Sequence, residues 1–208
     1  MLKKFTLLLI GTGMSFAQFN WAAGNPEKGK ALYAVCVACH GPDGAGNKAL
    51  NSPRIAGQEI WYLERQLKNF KTGVRGANSK DVYGMRMRPM AMTLPNDQAI
   101  ADVAAYVNGL KAKPPVAKIK GDTSAGKAAY MICQTCHGAN GEGNKALNAP
   151  KLINQQDWYM VRQLKGFKEG LRGTHPKDVY GMQMRPMSLT LTDDKAINNV
   201  VSYIVTFK

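Results

Sequence analysis

Two five-residue motifs in the chain place cysteine and histidine in the same order. CVACH occupies residues 36–40 and CQTCH occupies residues 133–137, and together they use all four cysteines and two of the three histidines. Two thiols at positions i and i+3 of a helix can form thioethers to the two vinyl groups of a haem, and the histidine that follows can then ligate the iron. The motifs therefore predict two covalently bound haem c groups, attached through Cys36, Cys39, Cys133 and Cys136 and ligated by His40 and His137.

Other chemistry is open to closely spaced cysteines. Four cysteines in a small exported chain can form two disulfides, and a Cys-x-x-Cys pair can be a redox dithiol or half of a zinc site. Haem attachment is favoured over these alternatives because the histidine follows the second cysteine in both copies and no cysteine is left over.

The second axial position of each iron has few candidate ligands. The remaining histidine is His175, whose counterpart in the first half is Asn78. Methionine is abundant in MRMRPMAM and MQMRPMSL, and each segment begins 45 residues after the proximal histidine. A thioether favours reduced iron and raises the reduction potential. The alternatives for these methionines are core packing and copper binding, and the residues alone leave six candidate ligands: Met85, Met87, Met90, Met182, Met184 and Met187.

The chain is an internal duplication. A shift of 97 residues aligns the two halves without a gap, and 42 of 74 residues between positions 33 and 106 are identical to their counterparts. The repeat predicts an N-terminal domain at 24–110 and a C-terminal domain at 124–208. The segment between them, KAKPPVAKIKGDT at 111–123, has two adjacent prolines and four lysines. Proline disfavours helix, so the segment is predicted to be an extended, solvated linker.

The secondary structure predicted within each half is helical. Apolar residues recur at helical spacing, alternating strand patterns are scarce, and the fold class is therefore all-α. The predicted helices cover 26–36, 61–71, 97–110, 124–133, 157–168 and 194–207.

The N-terminus has the layout of an export signal. Lys3 and Lys4 precede an apolar run at 5–11, and Ser15-Phe16-Ala17 offers small residues for cleavage. We predict a signal peptide at 1–23, cleaved after Ala17 or near Ala23, and a periplasmic location; a retained N-terminal anchor is the alternative.

The chain is strongly basic, with 28 Lys and Arg against 14 Asp and Glu. A basic surface attracts acidic protein faces or anionic lipid. An exported protein rarely meets nucleic acid, so no nucleic-acid partner is expected, while peripheral contact with a membrane surface stays open.

Longer repeated segments extend the pattern beyond the cysteine motifs. PRIAGQ is matched by PKLINQ, WYLERQL by WYMVRQL, and MRPM occurs in both halves. With the two haem motifs, these segments resemble the dihaem cytochrome c4 family. The resemblance implies two tandem cytochrome c-type helical domains, each around one haem.

The resemblance also implies particular residue roles. In this family the sixth ligand lies seven residues before the leucine that introduces the last helix, which selects Met87 and Met184. The carbonyls of Pro53 and Pro150 are expected to accept hydrogen bonds from the proximal imidazoles. The loop of the second half departs from the family pattern, because Asn154 stands in the place of Gly57.

Other repeated residues are candidates for contact with the haem from their chemistry. Arg75 and Arg172, like Arg88 and Arg185, could pair with haem propionates. Tyr62 and Tyr159 could pack against the porphyrin or bond a propionate, with core packing as the alternative.

Two closed irons would make the protein an electron carrier rather than an enzyme. The expected role is transfer of single electrons from a quinol-oxidising complex or a dehydrogenase to a terminal oxidase or reductase, through partners with acidic docking faces. One alternative is a cytochrome subunit of a larger oxidoreductase, such as a flavocytochrome sulfide dehydrogenase. Another is a dihaem enzyme with an open haem.

Overall fold

The computed structural model describes residues 23–208, so the predicted signal peptide, apart from Ala23, lies outside the described residues. Within this range the chain forms nine helices and no strand, which confirms the all-α prediction. The N-terminal half contains α1 (Pro26–Leu32), α2 (Ala34–His40), α3 (Ile60–Lys71), α4 (Val82–Met92) and α5 (Asp97–Gly109). The C-terminal half contains α6 (Thr123–His137), α7 (Asp157–Lys168), α8 (Val179–Leu189) and α9 (Asp194–Ile204).

The first predicted helix is divided in one half only. In the N-terminal half it is interrupted at Tyr33, whereas α6 runs unbroken to the end of the haem motif. Tyr33 keeps right-handed helical angles, φ −70° and ψ −15°, and the amide of Cys36 bonds its carbonyl at 2.8 Å. The interruption is therefore a local i→i+3 hydrogen bond rather than a change of direction.

The first and last helices of each half cross at a glycine. A Cβ on Gly29 would lie 2.0 Å from the carbonyl oxygen of Asp102 on α5, and one on Gly126 would lie 2.1 Å from that of Asn199 on α9. A side chain of any size would push the helices apart, so glycine sets their close approach. Buried apolar side chains from the last helix fill the core of each half, including Ile100, Val103, Ile197 and Val200.

Two helices were not among the sequence predictions. The methionine segments form α4 and α8, although each contains a proline, Pro89 or Pro186. Each helix begins where an aspartate, Asp81 or Asp178, accepts a hydrogen bond from the backbone N–H three residues later.

The segment between the halves is extended but is not free in solution. Residues 110–122 contain no helix, as two adjacent prolines require. The guanidinium of Arg54 donates to the carbonyls of Ala112 and Lys113, at 3.1 and 2.9 Å. The carboxylate of Asp157 accepts the N–H groups of Lys118 and Ile119, at 2.5 and 2.7 Å. The linker backbone is thus anchored to both halves.

None of the helices between residues 23 and 208 combines the length and apolar character needed to span a membrane.

Candidate haem-binding site

A buried histidine ends the helix that carries each cysteine motif. His40 and His137 are 5% and 8% exposed. Their Nδ1 atoms lie 2.8 Å from the carbonyl oxygen of Pro53 and 2.7 Å from that of Pro150. Burial lowers the pKa of both imidazoles, outweighing the hydrogen bond to the proline carbonyl, which raises it. Each ring is therefore neutral with its proton on Nδ1, which leaves the Nε2 lone pair available to a metal.

The two cysteines of each motif lie one helical turn apart at the edge of the same cavity as the histidine. No two of them are joined by a disulfide. Cys36 and Cys133 are half-buried, whereas Cys39 and Cys136 are exposed. Between residues 23 and 208 no group of three or more His, Cys, Asp or Glu side chains is arranged to hold a metal ion. The two cysteines on one helical turn, followed directly by the histidine, match the arrangement that haem thioethers require.

One continuous cavity of about 850 Å³ is lined by both halves of the chain. Its walls include the two cysteine motifs, the proximal histidines, and apolar side chains from the helices of each half, such as Leu67, Phe70, Leu164 and Phe167. Both predicted haem sites therefore open into a shared space between the halves.

The helical form of the methionine segments separates the candidate ligands. On α4, Met87 is half-buried and lies on the same face as buried Gly84 and Ala91, at helical spacing. Met87 and Met90 line the cavity, whereas Met85 is 46% exposed and does not.

The C-terminal half repeats this arrangement on α8. Met184 and Met187 line the cavity, and Met182 is 42% exposed and lies outside it. Met184 follows buried Gly181 and precedes buried Ser188 on one helix face. Of the six candidate ligands, the structure thus leaves two that line the cavity in each half.

Two arginines lie where the halves meet, with Arg75 buried and Arg172 half-buried. The guanidinium of Arg75 donates to Oε1 of Gln66 at 2.5 Å and to Oε1 of Gln163 at 3.3 Å. Arg172 makes the reciprocal bonds, 2.8 Å to Gln163 and 3.5 Å to Gln66. Burial lowers the pKa of Arg75, and the nearby positive charge of Arg172 lowers it further.

These arginines lack an anionic partner within the described chain. Neither forms a salt bridge there, and the Nε of each is buried without any hydrogen-bond partner. A buried cation without a counter-charge is costly. The carboxylates of a haem in the adjoining cavity match this unmet need, so the residues present fit the cofactor that the cysteine motifs require.

Of the remaining residues predicted to contact the haem, the tyrosines line the cavity and the arginines do not. Tyr62 and Tyr159 line the cavity, each with its ring edge-on to the preceding tryptophan. Arg88 and Arg185 do not line the cavity, although the Nε of Arg185 is buried and unpaired.

The substitution of Gly57 by Asn154 leaves the local backbone unchanged. Both residues are left-handed, with φ 68° and 60°. Asparagine tolerates this conformation better than most residues, so the loop keeps its path in both halves.

Sequence analysis missed a symmetric pair of arginines that joins the halves. Arg65 donates to the side chain and carbonyl of Asn148, at 3.0 and 2.9 Å, and Arg162 donates to the same groups of Asn51, at 3.3 and 2.9 Å. Each guanidinium also lies over a tyrosine ring of the other half. Arg65 is 4.4 Å from the ring centroid of Tyr180, and Arg162 is 4.3 Å from that of Tyr83.

A tyrosine before each motif was also missed. The hydroxyls of Tyr33 and Tyr130 donate to the carbonyls of Gly41 and Gly138, each at 2.7 Å. These bonds fix the chain just after the proximal histidine. Both the arginine pair and the tyrosine pair are identical between the halves at the repeat spacing of 97 residues. This identity was the feature of the sequence that could have identified them.

Comparison with known proteins agrees with this geometry. The cytochrome c family matches residues 26–111 and again residues 123–208. Cytochrome c4 of Azotobacter vinelandii is 38% identical over 209 residues, covering 95% of this chain and 94% of the relative. The crystal structure of reduced recombinant cytochrome c4 from Pseudomonas stutzeri superposes with a TM-score of 0.73 at 33% identity, over 89% of this chain and all of that chain. A protein named thiosulfate dehydrogenase electron acceptor, from Thiomonas intermedia, is 31% identical over 85% of this chain and 78% of its own length.

The fold and the site define two c-type cytochrome domains in tandem, each with one covalently attached haem c. The chain belongs to the dihaem cytochrome c4 family. It is accordingly an electron-transfer protein, not an enzyme.

Proposed function

We propose that the protein is a periplasmic shuttle that carries single electrons from a quinol-oxidising complex or a dehydrogenase to a terminal oxidase or reductase. The observation that carries the proposal is that each half supplies a histidine nitrogen and cavity-lining methionines to the same cavity. A haem iron closed on both sides can exchange electrons but cannot bind substrate.

Met87 and Met184 are the proposed sixth ligands. Each lies on the inward face of its helix, between a small buried residue one turn before it and another one turn after it. Met90 and Met187 also reach the cavity and are the alternatives. Neutral sulfur favours the reduced iron and sets a high potential.

The chain's own residues would tune and protect the redox centres. When bound, each haem supplies a reversible one-electron iron couple. The proline carbonyls hold the proximal imidazoles in one tautomer, and the apolar cavity walls exclude water. Arg75 and Arg172 would neutralise propionates at the meeting point of the halves, where both haem sites open into the same cavity.

The proposed location and partners rest on the sequence and on family membership. The layout of residues 1–23 supports export, and the net charge of +14 supports docking to acidic faces.

A second candidate is narrower: the protein accepts electrons from a dehydrogenase that oxidises an inorganic sulfur compound. The relative named as an electron acceptor of thiosulfate dehydrogenase favours this role. Permanent membership of a larger oxidoreductase, such as a sulfide-oxidising flavocytochrome, is the related alternative.

Purified holoprotein and membranes of the source organism test these roles together. The shuttle requires that dithionite-reduced protein be reoxidised by aerobic membranes and reduced again by added quinol. Reduction by a purified thiosulfate dehydrogenase, without reduction by quinol and membranes, would select the second candidate. Failure of both donors and of the membranes would overturn the carrier role.

A further inference from the structure

We propose that the linker forms a fixed basic docking ridge for an acidic redox partner protein. The ridge comprises residues 111–120, with Lys111, Lys113, Lys118 and Lys120 as its charged members. The proposal rests on the carrier function above, because it names the surface by which a carrier would meet its partner.

The backbone at both ends of the ridge is anchored by residues without a like counterpart in the repeat. Arg54 holds the carbonyls of Ala112 and Lys113, and the residue equivalent to Arg54 in the second half is Lys151. Asp157 holds the N–H groups of Lys118 and Ile119, and its equivalent is Ile60. These anchors are therefore specific to the one linker that the chain contains.

The anchored backbone directs the lysines outward. Successive side chains of an extended segment point to opposite sides. Ala112 and Ile119 are half-buried, while the lysines on either side of each are exposed. The two lysine pairs thus lie on the outer side of the linker. The two members of each pair are about 7 Å apart along the chain.

The ammonium groups of the ridge form no ion pair within residues 23–208. Residues 111–121 contain four lysines and no acidic residue. Within residues 23–208 the two salt bridges are made by Lys68 and Lys165, so none of the four ridge ammonium groups is paired with a carboxylate. An opposing acidic surface would supply the missing charges.

A small apolar surface lies between the lysine pairs. It consists of Pro114, Pro115, Val116 and Ala117, and Val116 is 83% exposed. An apolar centre with a charged rim is typical of protein interfaces. Membrane-binding segments instead present larger apolar and aromatic side chains toward lipid, whereas the largest exposed apolar side chain of the ridge is Val116. The occupant that the ridge fits is therefore an acidic protein face.

The residue that anchors the first end of the ridge is adjacent in sequence to a residue of a haem site. Arg54, which binds the linker carbonyls, directly follows Pro53, whose carbonyl accepts the hydrogen bond from the proximal His40. A partner seated on the linker would lie close to Arg54, which lines the shared haem cavity.

Binding of the holoprotein to labelled poly-L-glutamate, followed by fluorescence anisotropy, tests the ridge without requiring electron transfer. The test variant is K111Q/K113Q/K118Q/K120Q. The matched control, K28Q/K30Q/K127Q/K195Q, removes the same charge from exposed lysines that do not line the cavity. We expect the ridge variant to lose roughly tenfold in affinity and the control less than roughly threefold, with both losses fading at high salt.

Equal losses in the two variants would show that only net charge matters and would overturn the proposal, as would no loss in the ridge variant. Vesicles of phosphatidylglycerol and phosphatidylcholine distinguish the lipid alternative. If the ridge lysines are needed for vesicle binding but not for poly-L-glutamate binding, the surface is a membrane contact and the proposal fails. Failure of the carrier role would instead appear as a holoprotein that binds poly-L-glutamate through the ridge but is not reoxidised by membranes.

Discussion

At the scale of single residues, the sixth ligand of each iron decides between carrier and catalyst. Replacement of Met87 by Ala removes the proposed thioether and is expected to open that haem to carbon monoxide. The reduced M87A protein should bind one equivalent of carbon monoxide, and M87A/M184A should bind two, as measured by absorbance titration.

The neighbouring methionines provide the matched control. Met90 and Met187 also line the cavity, and M90L/M187L should bind no carbon monoxide. If these variants bind it and the alanine variants do not, the ligands are Met90 and Met187.

Arg75 gives a second test at this scale. It is buried beside Arg172 with an unpaired Nε. A positive charge near a haem favours the reduced iron, so R75Q should lower a reduction potential by roughly 50 mV, equivalent to about 1 kcal/mol for one electron. Spectroelectrochemical titration measures this shift. R88Q removes an arginine outside the cavity and should leave both potentials nearly unchanged; equal shifts in the two variants would contradict the assignment.

Residue identities near the haem could be predicted where a local motif defines them. The spacing of cysteine and histidine indicated Cys36, Cys39 and His40 directly. The contacts of Arg65 with Asn148, and of Arg75 with Gln163, could not be predicted in this way. They join residues more than 80 positions apart and depend on how the two halves pack, which no local pattern specifies.

At the scale of helices, the first and last helices of each half are tightly constrained where they cross at a glycine. A Cβ on Gly126 would meet the backbone of α9, which cannot move as a flexible side chain can. G126A is therefore expected to lower the free energy of unfolding by about 1–3 kcal/mol, measured by urea denaturation of the holoprotein. Gly109, at the end of α5, has nothing within 4 Å of such a Cβ, and G109A should stay within about 1 kcal/mol of the wild type.

The linker anchor predicts a pH-dependent stability. Burial alone would raise the pKa of Asp157, but hydrogen bonds from the N–H groups of Ile119, Lys118 and Trp158 together outweigh it and lower the pKa. A carboxylate with a lowered folded pKa stabilises the protein above its unfolded pKa of about 3.9, and this contribution is lost as the pH falls through the folded value.

D157N should accordingly be less stable than the wild type at about pH 7, and the difference should shrink as the pH falls below about 4. Urea denaturation over this pH range measures the difference. A difference that stays constant down to about pH 3 would show that the charge of Asp157 does not hold the linker.

Hydrophobic periodicity predicted some of the helices and missed others. The helices beginning at Ile60 and Asp97 were predicted because apolar residues recur on one face. The helix at Val82–Met92 contains a proline and exposes Met85 and Met92, so it lacks a clear apolar face. Its formation depends on the cap at Asp81 and on packing against α3, and packing of this kind is a tertiary effect that periodicity does not report.

At the scale of the whole molecule, the duplication produces a symmetric pair of sites and one asymmetric connection. The exchanged contacts of Arg65 and Arg162 hold the halves around a single cavity. The linker breaks the symmetry, because its anchors Arg54 and Asp157 are replaced by Lys151 and Ile60 at the equivalent positions of the other half. The first property places both haem sites on the same cavity, and the second is the feature on which the proposed docking ridge rests.

The most direct test of the account is a haem count per chain combined with carbon monoxide titration of the reduced wild-type protein. The account predicts two covalent haems and no carbon monoxide complex, because methionine closes both irons. A carbon monoxide complex at either haem would reveal an open or labile iron and would contradict the assignment of the protein as a pure electron carrier.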